Sequence, residues 1–156
     1  MTRTVVTTAL WFLALGSGLL GGVFFAFSTF VMKALSRLPP AHGAAAMNAI
    51  SLVIVKSVFM PIFLGTTFAS LSLGAVCVFR SSQTGATLIV TACALTFAGM
   101  FIVTLVFNVP LNDALAADAS VWARYVKDWT FWNHVRTLSS LIACGLFIAA
   151  LRALRP

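Results

Sequence analysis

The stretch VVTTALWFLALGSGLLGGVFFAFSTFVM, residues 5–32, decides the fold. It holds no charged side chain. Apolar runs of roughly 20 residues or more are read as membrane spans. This one is too long for the h-region of a cleaved signal peptide, and no A-x-A-like site follows a short one, so it is expected to persist as a first span after the weakly basic start at Arg3. Composition agrees. The chain has 156 residues, 61% of them hydrophobic and 8% charged, with a mean hydropathy of +1.05. A soluble domain carries about 25% charged residues, so this chain cannot cover a water-facing surface. Its length allows one domain, residues 1–156.

Outward from that run, three more spans emerge. The second lies within Ala44–Phe79, whose 36 residues are interrupted by Lys56 and Pro61. A straight helix of that length would cover about 54 Å, more than a bilayer core needs. Pro39 and Pro40 therefore begin an interfacial helix reaching about Lys56, proline being suited to a first helical turn. The crossing then runs from near Ser57 to Arg80, with a kink expected at Pro61. The third span covers roughly Ala86–Phe107 and the fourth Val135–Leu151, which crosses only if its start is moved to Asn133. The expected fold is all-α: an integral membrane four-helix bundle with interfacial helical segments in the first and third connections. Only RSSQTG joins the second and third spans, so the two long connections share one membrane face, and both termini share the other with the short turn. In the third connection Ser120 is the expected N-cap. Trp122, Val126 and Trp129 recur at i, i+4, i+7, with Arg124 and Asp128 paired opposite. This reads as an amphipathic helix on the bilayer, its tryptophans forming an aromatic belt.

Ala14, Gly18, Gly22 and Ala26 form a small-xxx-small face on the first span, a seam for close helix packing and the basis for expecting a homo-oligomer. Cys77, Cys93 and Cys144 are widely spaced inside apolar runs and read as small buried hydrophobes. Ten Lys or Arg stand against three Asp and no Glu, a net charge of +7. The cations are scattered over span ends without a basic stripe, which favours membrane lipids or an anionic ligand over nucleic acid. Counting cations leaves orientation finely balanced; setting aside those grouped at the long connections places the termini in the cytoplasm.

The unusual polar residues collect at the long-connection face. Lys33 and Arg37 end the first span; Asn48, Ser51 and Lys56 precede the second; Asn108 and Asn112 bracket Pro110; Asn133, His134, Arg136 and Thr137 open the fourth. Asn133, Arg136, Thr137 and Ser140 share one helical face, too polar for lipid, and should point into the bundle. Two readings compete. In one, amides and hydroxyls glue helices while Arg136 and Lys56 snorkel to headgroups, Asp113 or Asp128 being within reach as partners for Arg136. In the other, they form the polar mouth of a pocket with aromatic walls: Phe27, Phe30, Trp129 and Trp132. The inventory has no Glu, no multi-histidine set and no phosphate loop. Two chemistries remain. One uses His134 as base and Asn108, Asn112 and Asn133 as oxyanion stabilisers for an enolisable aromatic substrate, with Arg136 and Lys56 lowering the energy of the anion electrostatically. The other is a bound heme b with His134 or an asparagine at iron, and Arg136, Lys56 and Asn108 holding the macrocycle.

FNVPLNDAL, residues 107–115, and WARYVKDWTFWNHVRTLSSL, residues 122–141, resemble the anthrone oxygenase-like family of small membrane proteins. FSTFVMKALSRLPPAHGAAAMNAI, residues 27–50, resembles that family's first connection, with a departure at Ser51 where asparagine is expected. The resemblance covers nearly the whole chain. It implies a four-helix membrane bundle and, for relatives in polyketide pathways, oxidation of anthrones to anthraquinones with molecular oxygen. It makes Asn108, Asn112, Asn133, His134 and Arg136 candidates for a shared site. A bacterial inner-membrane protein that binds an aromatic, redox-active ligand is the resulting expectation. The alternatives are a non-catalytic heme- or lipid-binding protein and a structural membrane subunit.

Overall fold

A computed structural model of the protein describes residues 2–79 and 85–154, and it is all-α over them. Four helices are long and apolar enough to cross a membrane: α1 Arg3–Leu35, α3 Phe59–Phe79, α4 Ala86–Ala117 and α5 Trp122–Ala153. A shorter helix, α2 Pro40–Ile54, lies between the first two. In lipid every backbone donor and acceptor must be satisfied within the segment, so helices are the form these apolar runs can take. Large side chains such as Phe12, Leu15, Leu19, Phe25, Phe68 and Ile142 are left on the outside, where hydrocarbon is the solvent.

The expected topology holds. Arg3 donates to the Leu154 carbonyl, which brings the two ends of the chain together. Gly85, at φ +80°, packs beside Ala150 and Ala153, so the start of α4 shares that face. Arg80, which should also lie there, is outside the described residues. At the opposite face α2 closes over the bundle. Pro40 occupies its first turn, and the Pro39 carbonyl accepts from the His42 and Gly43 amides. After α2 the chain turns at Ser57, whose hydroxyl accepts from the Phe59 amide at 3.2 Å and starts α3. Pro61 therefore falls in the first turn of α3, where its missing N–H costs nothing, and the kink expected there is not needed.

Three sequence expectations are corrected. First, α4 does not stop near Phe107. It continues through Pro110 to Ala117, and the turns at Leu95–Ile102 and Thr104–Asn108 widen to π geometry. Proline lacks an amide and its ring crowds the preceding turn; a widened turn just before Pro110 accommodates both. Second, the helix break is capped by Asp118 rather than Ser120. The Asp118 carboxylate accepts from the Ser120 hydroxyl at 2.7 Å and the Ser120 amide at 2.8 Å. Third, the segment from Trp122 does run into the fourth span, as the first part of α5, but its aromatic face is not a belt. Trp122, Tyr125 and Trp129 are buried with Met32, Ala44, Met47 and Leu115, beneath α2. Below this layer lies a middle cluster of Leu20, Phe24, Phe63 and Met100. Near the termini Leu10, Leu13, Leu73, Ile89 and Phe147 complete the core.

The small-residue face of α1 is divided. Ala14 is buried and Gly18 lies against Cys144, but Gly22 faces open space and Gly21 instead meets Leu141. The reason is helical drift: a four-residue step turns 400°, and the seam shifts onto its neighbours over three turns. Gly43 has the tighter role. A Cβ there would stand 2.6 Å from a Trp122 ring carbon and 2.9 Å from the Leu35 carbonyl oxygen. Gly43→Ala should therefore lower thermal stability in detergent by about 1–3 kcal/mol, the range for overpacking a filled site. Gly22→Ala should leave the melting temperature unchanged, and equal losses for both would contradict this packing. Hydrogen bonds from the Ser120 hydroxyl, then from its amide, hold the Asp118 carboxyl below the usual carboxylate range. A depressed carboxylate stabilises above its unfolded pKa and ceases to as pH falls through its folded one. Protection of the Ser120 amide against hydrogen exchange, taken relative to the intrinsic rate at each pH, should thus persist below the usual carboxylate range and be lost as Asp118 is protonated.

Candidate functional site

Between the aromatic layer under α2 and the middle cluster lies a cavity of about 180 Å³. Four spans and α2 contribute to it: Phe24 and Phe27 from α1, Met47 and Ile50 from α2, Phe59, Met60 and Phe63 from α3, Thr104, Leu105 and Asn112 from α4, and Trp129, Asn133 and Arg136 from α5. Its walls are apolar and aromatic. Its polar groups gather on α4 and α5, and the widened turns of α1 and α4 supply Phe27, Thr104 and Leu105. Wide turns of this kind are frequent at functional sites.

Arg136 is the centre of the arrangement, with a side chain only 6% exposed. Its guanidinium lies 4.5 Å from the ring centre of Phe24 and 5.0 Å from that of Trp129, both within cation–π range. Nη2 donates to Asn133 Oδ1 at 2.7 Å, and Nη1 reaches Thr104 Oγ1 at a long 3.4 Å. Asn133 is fully buried and fixed in turn: its amide nitrogen donates to the Phe24 carbonyl and to Ser28 Oγ, each at 2.7 Å. Ser28 is also within 3.0 Å of the Thr137 hydroxyl, which donates to the Asn133 carbonyl. The orientation of Arg136 is therefore built into the α1–α5 contact.

Among the described residues no carboxylate answers this cation. The ion pair among the described residues is Arg124–Asp128, at 3.1 Å. Asp113 is exposed. The expectation that Asp113 or Asp128 partners Arg136 is thus corrected: both lie on outward faces of their helices. Two buried donors of cavity-lining residues, Arg136 Nε and Trp129 Nε1, have no acceptor. Asn108 is buried beside them, its amide nitrogen donating to the Trp129 carbonyl at 3.3 Å while its Oδ1 is unpartnered. Asn112 accepts from the Tyr125 hydroxyl at 2.8 Å and lines the cavity.

The sequence-derived set therefore separates. Asn112, Asn133, Arg136, Trp129 and Phe27 line the cavity, and Asn108 supports its wall. His134 does not join them: it is exposed on the outer face of α5, about 100° around the helix from Asn133. Lys56 is exposed in the turn before α3. Phe30 is 61% exposed, and Trp132 stacks on Phe107 at 3.5 Å outside the cavity. A heme does not fit these residues. No imidazole or thiolate lines the cavity, and its volume lies below the roughly 300–1,000 Å³ of pockets for drug-sized ligands. No group of three or more His, Cys, Asp or Glu that could hold a metal ion occurs among the described residues. The sequence reading missed Phe24, Ser28, Thr104 and Tyr125. Ser28 and Thr104 were visible only as isolated hydroxyls inside apolar runs.

Asn133→Ala should destabilise the protein by about 1–3 kcal/mol, because it removes the 2.7 Å hydrogen bond that Arg136 donates inside the bundle and leaves that terminal nitrogen unpaired. Asn133→Asp should restore a partner to Arg136 and recover part of the loss. Thermal unfolding of the two variants checks this, and identical losses would argue against the Arg136–Asn133 contact.

A family model described as Anthrone oxygenase matches residues 51–146, more than half of the chain. The matched stretch runs from the end of α2 through α3, α4 and most of α5. It contains Asn108, Asn112, Asn133 and Arg136, but not Phe24 or Ser28. Neither the curated proteins nor the solved structures contain a match.

Proposed function

The chain belongs to the anthrone oxygenase family, and from that premise we propose that its cavity binds a flat, oxygen-bearing aromatic molecule as the phenolate or enolate and promotes its oxidation by molecular oxygen. One observation carries the reading: a buried, rigidly held guanidinium borders the cavity, and no carboxylate pairs with it. A ligand anion completes that site. The aromatic and methionine walls suit the ring system.

The chemistry needs little from the protein beyond this. Arg136, with Asn133 setting its angle, favours the ionised ligand, and Trp129 Nε1 supplies a further N–H near the cavity. The cavity holds no general base, so the ligand's proton passes to water at the mouth. The anion's electron-rich ring carbon then gives an electron to oxygen, and a carbon–oxygen bond forms. The peroxide takes up a proton. Loss of the remaining C–H proton with cleavage of the O–O bond yields the carbonyl and one water. An anthrone would become an anthraquinone by this route, consuming one oxygen molecule. Arg136 thus keeps the electrostatic role expected of it, whereas Lys56 and His134 have none in the cavity.

Access from the bilayer is consistent with the surface beside the cavity. An apolar hollow formed by Phe27, Ala49, Ile50, Val53, Ile54 and Ser57 shares Phe27, Ile50 and Ile54 with it. A ligand longer than the cavity extends into that hollow, and one dissolved in lipid enters there without crossing water.

The test is oxygen uptake and quinone absorbance with a hydroxylated anthrone, corrected for spontaneous oxidation, using the full chain in detergent. Arg136→Gln should lower turnover by about 10²-fold, the scale set by removing one oxyanion donor. Lys56→Gln, at an exposed site, should match the parent. A parent-like rate in folded Arg136→Gln would overturn the reading.

A further inference from the structure

His134, Lys33 and Lys127, which the cavity does not use, meet on the outside of the bundle. They border an open groove of about 430 Å³ between the end of α1 and the beginning of α5. The registers explain the meeting. Thr29, Lys33 and Ser36 follow one another at i, i+4, i+7 on α1, and Lys127, Phe131 and His134 do so on α5. Met32 and Val126 form apolar parts of the lining.

The free donors of this groove can be sorted. The Thr29 hydroxyl is committed to the Phe25 carbonyl at 2.7 Å, and the Ser36 hydroxyl to the Lys33 carbonyl at 3.0 Å. Ser28 is held by Asn133 and Thr137. What remains is two ammonium groups, the His134 ring and the Thr130 hydroxyl, which is buried and has no partner. No acid lines the groove. Asp128 is on the other side of α5 against Arg124, and Asp118 is engaged with Ser120. Four donors thus converge on a hollow with no anion. The hollow lies where two spans leave the bilayer, flanked by the lipid-exposed rings of Phe30 and Phe131.

We propose that this groove binds the phosphate of an anionic glycerophospholipid. Lys33 and Lys127 hold the phosphate oxygens, Thr130 and His134 donate to them, and the first acyl carbons lie along Met32, Val126 and Phe131. Basic pockets between spans at a membrane face recognise anionic headgroups in this way, each cation drawing on the low dielectric nearby. A soluble anion lacks the apolar contacts that Met32, Val126 and Phe131 offer. Lys56 and Arg37, exposed at the same face, border no such groove.

The full chain in a neutral detergent is titrated with dioleoylphosphatidylglycerol, dioleoylphosphatidylcholine or inorganic phosphate, and the melting temperature is read from tryptophan fluorescence. The phosphatidylglycerol should stabilise the parent at a mole fraction at least about tenfold lower than phosphatidylcholine, two cations at the headgroup being sufficient for that preference. The double variant Lys33→Gln/Lys127→Gln should lose the preference, and His134→Gln should weaken it. All three positions are exposed, so folding is preserved. Arg124→Gln removes a cation from the opposite face of α5 and should retain the preference. Three results would overturn the proposal: equal stabilisation by both lipids, equal loss in Arg124→Gln and the double variant, or reproduction of the effect by inorganic phosphate alone.

Discussion

The upper half of the molecule depends on one buried cation. Placing an arginine at the centre of a transmembrane helix costs about 2.5–3.5 kcal/mol on insertion scales. Arg136 recovers part of this through its bond to Asn133, hydrogen bonds to charged groups contributing about 1.5–3 kcal/mol. Two aromatic faces add cation–π attraction. The compensation has structural consequences. Asn133 must be held by the Phe24 carbonyl and Ser28, so α1 and α5 cannot slide past one another. Trp129 must stand against the guanidinium, so the start of α5 is drawn inward and covered by α2. A cavity with an incompletely satisfied cation at its edge follows from that geometry.

The rest of the bundle obeys the constraint that lipid offers no hydrophobic drive for helices to associate. Its interior accordingly carries hydroxyl side chains among the apolar ones. Ser17, Thr66, Thr67, Ser70, Thr96, Ser139 and Ser140 are all buried. Thr67 and Thr96 donate to carbonyls four residues back, at 2.8 and 3.0 Å, whereas the hydroxyls of Ser17, Thr66 and Ser140 are buried without a partner. Small side chains then let the spans approach; Gly99 lies so close to Ser139 that a Cβ would collide with its side chain. Near the termini the core is aliphatic and closed, with Phe147 fully buried. Toward the long connections the packing becomes aromatic, and the widened turns of α1 and α4 open space that regular helices would have filled.

Span count, parity and the interfacial α2 were legible because each rests on a local rule: hydrophobic length, charge at span ends, and proline at a helix start. The inward face of Asn133, Arg136 and Thr137 was legible for the same reason, since helical periodicity separates polar from lipid-facing positions. His134 was misplaced because nearness in sequence substituted for direction; one residue is 100° of helix, enough to move it from cavity to lipid. The tryptophans were misassigned because burial by α2 is a tertiary fact. A face that suits headgroups suits a protein lid equally well. The π turns left no mark beyond Pro110. For Arg136 the sequence left an aspartate and a ligand anion equally open; direction removes Asp128, which is on the side of α5 that carries Arg124, the pairing that helical spacing had also indicated.

A planar guanidinium has faces and an edge, and the protein uses them differently. Phe24 and Trp129 lie within cation–π distance, Asn133 takes one terminal nitrogen, and Thr104 is at the limit of the other. Nε is left without an acceptor. A lysine could not reproduce this, because an ammonium has no faces to stack and no fixed direction for its donors. The arrangement also bears on what the cavity accepts. A neutral hydrocarbon would leave the edge unsatisfied, and a water cluster would have to enter between aromatic walls. An oxygen anion conjugated to a ring meets both demands with one molecule: its oxygen satisfies the free edge, and its ring continues the aromatic packing around the cation. In the proposed function, the buried charge that fixes α1 against α5 is also the feature that would favour planar, acidic, lipid-soluble ligands.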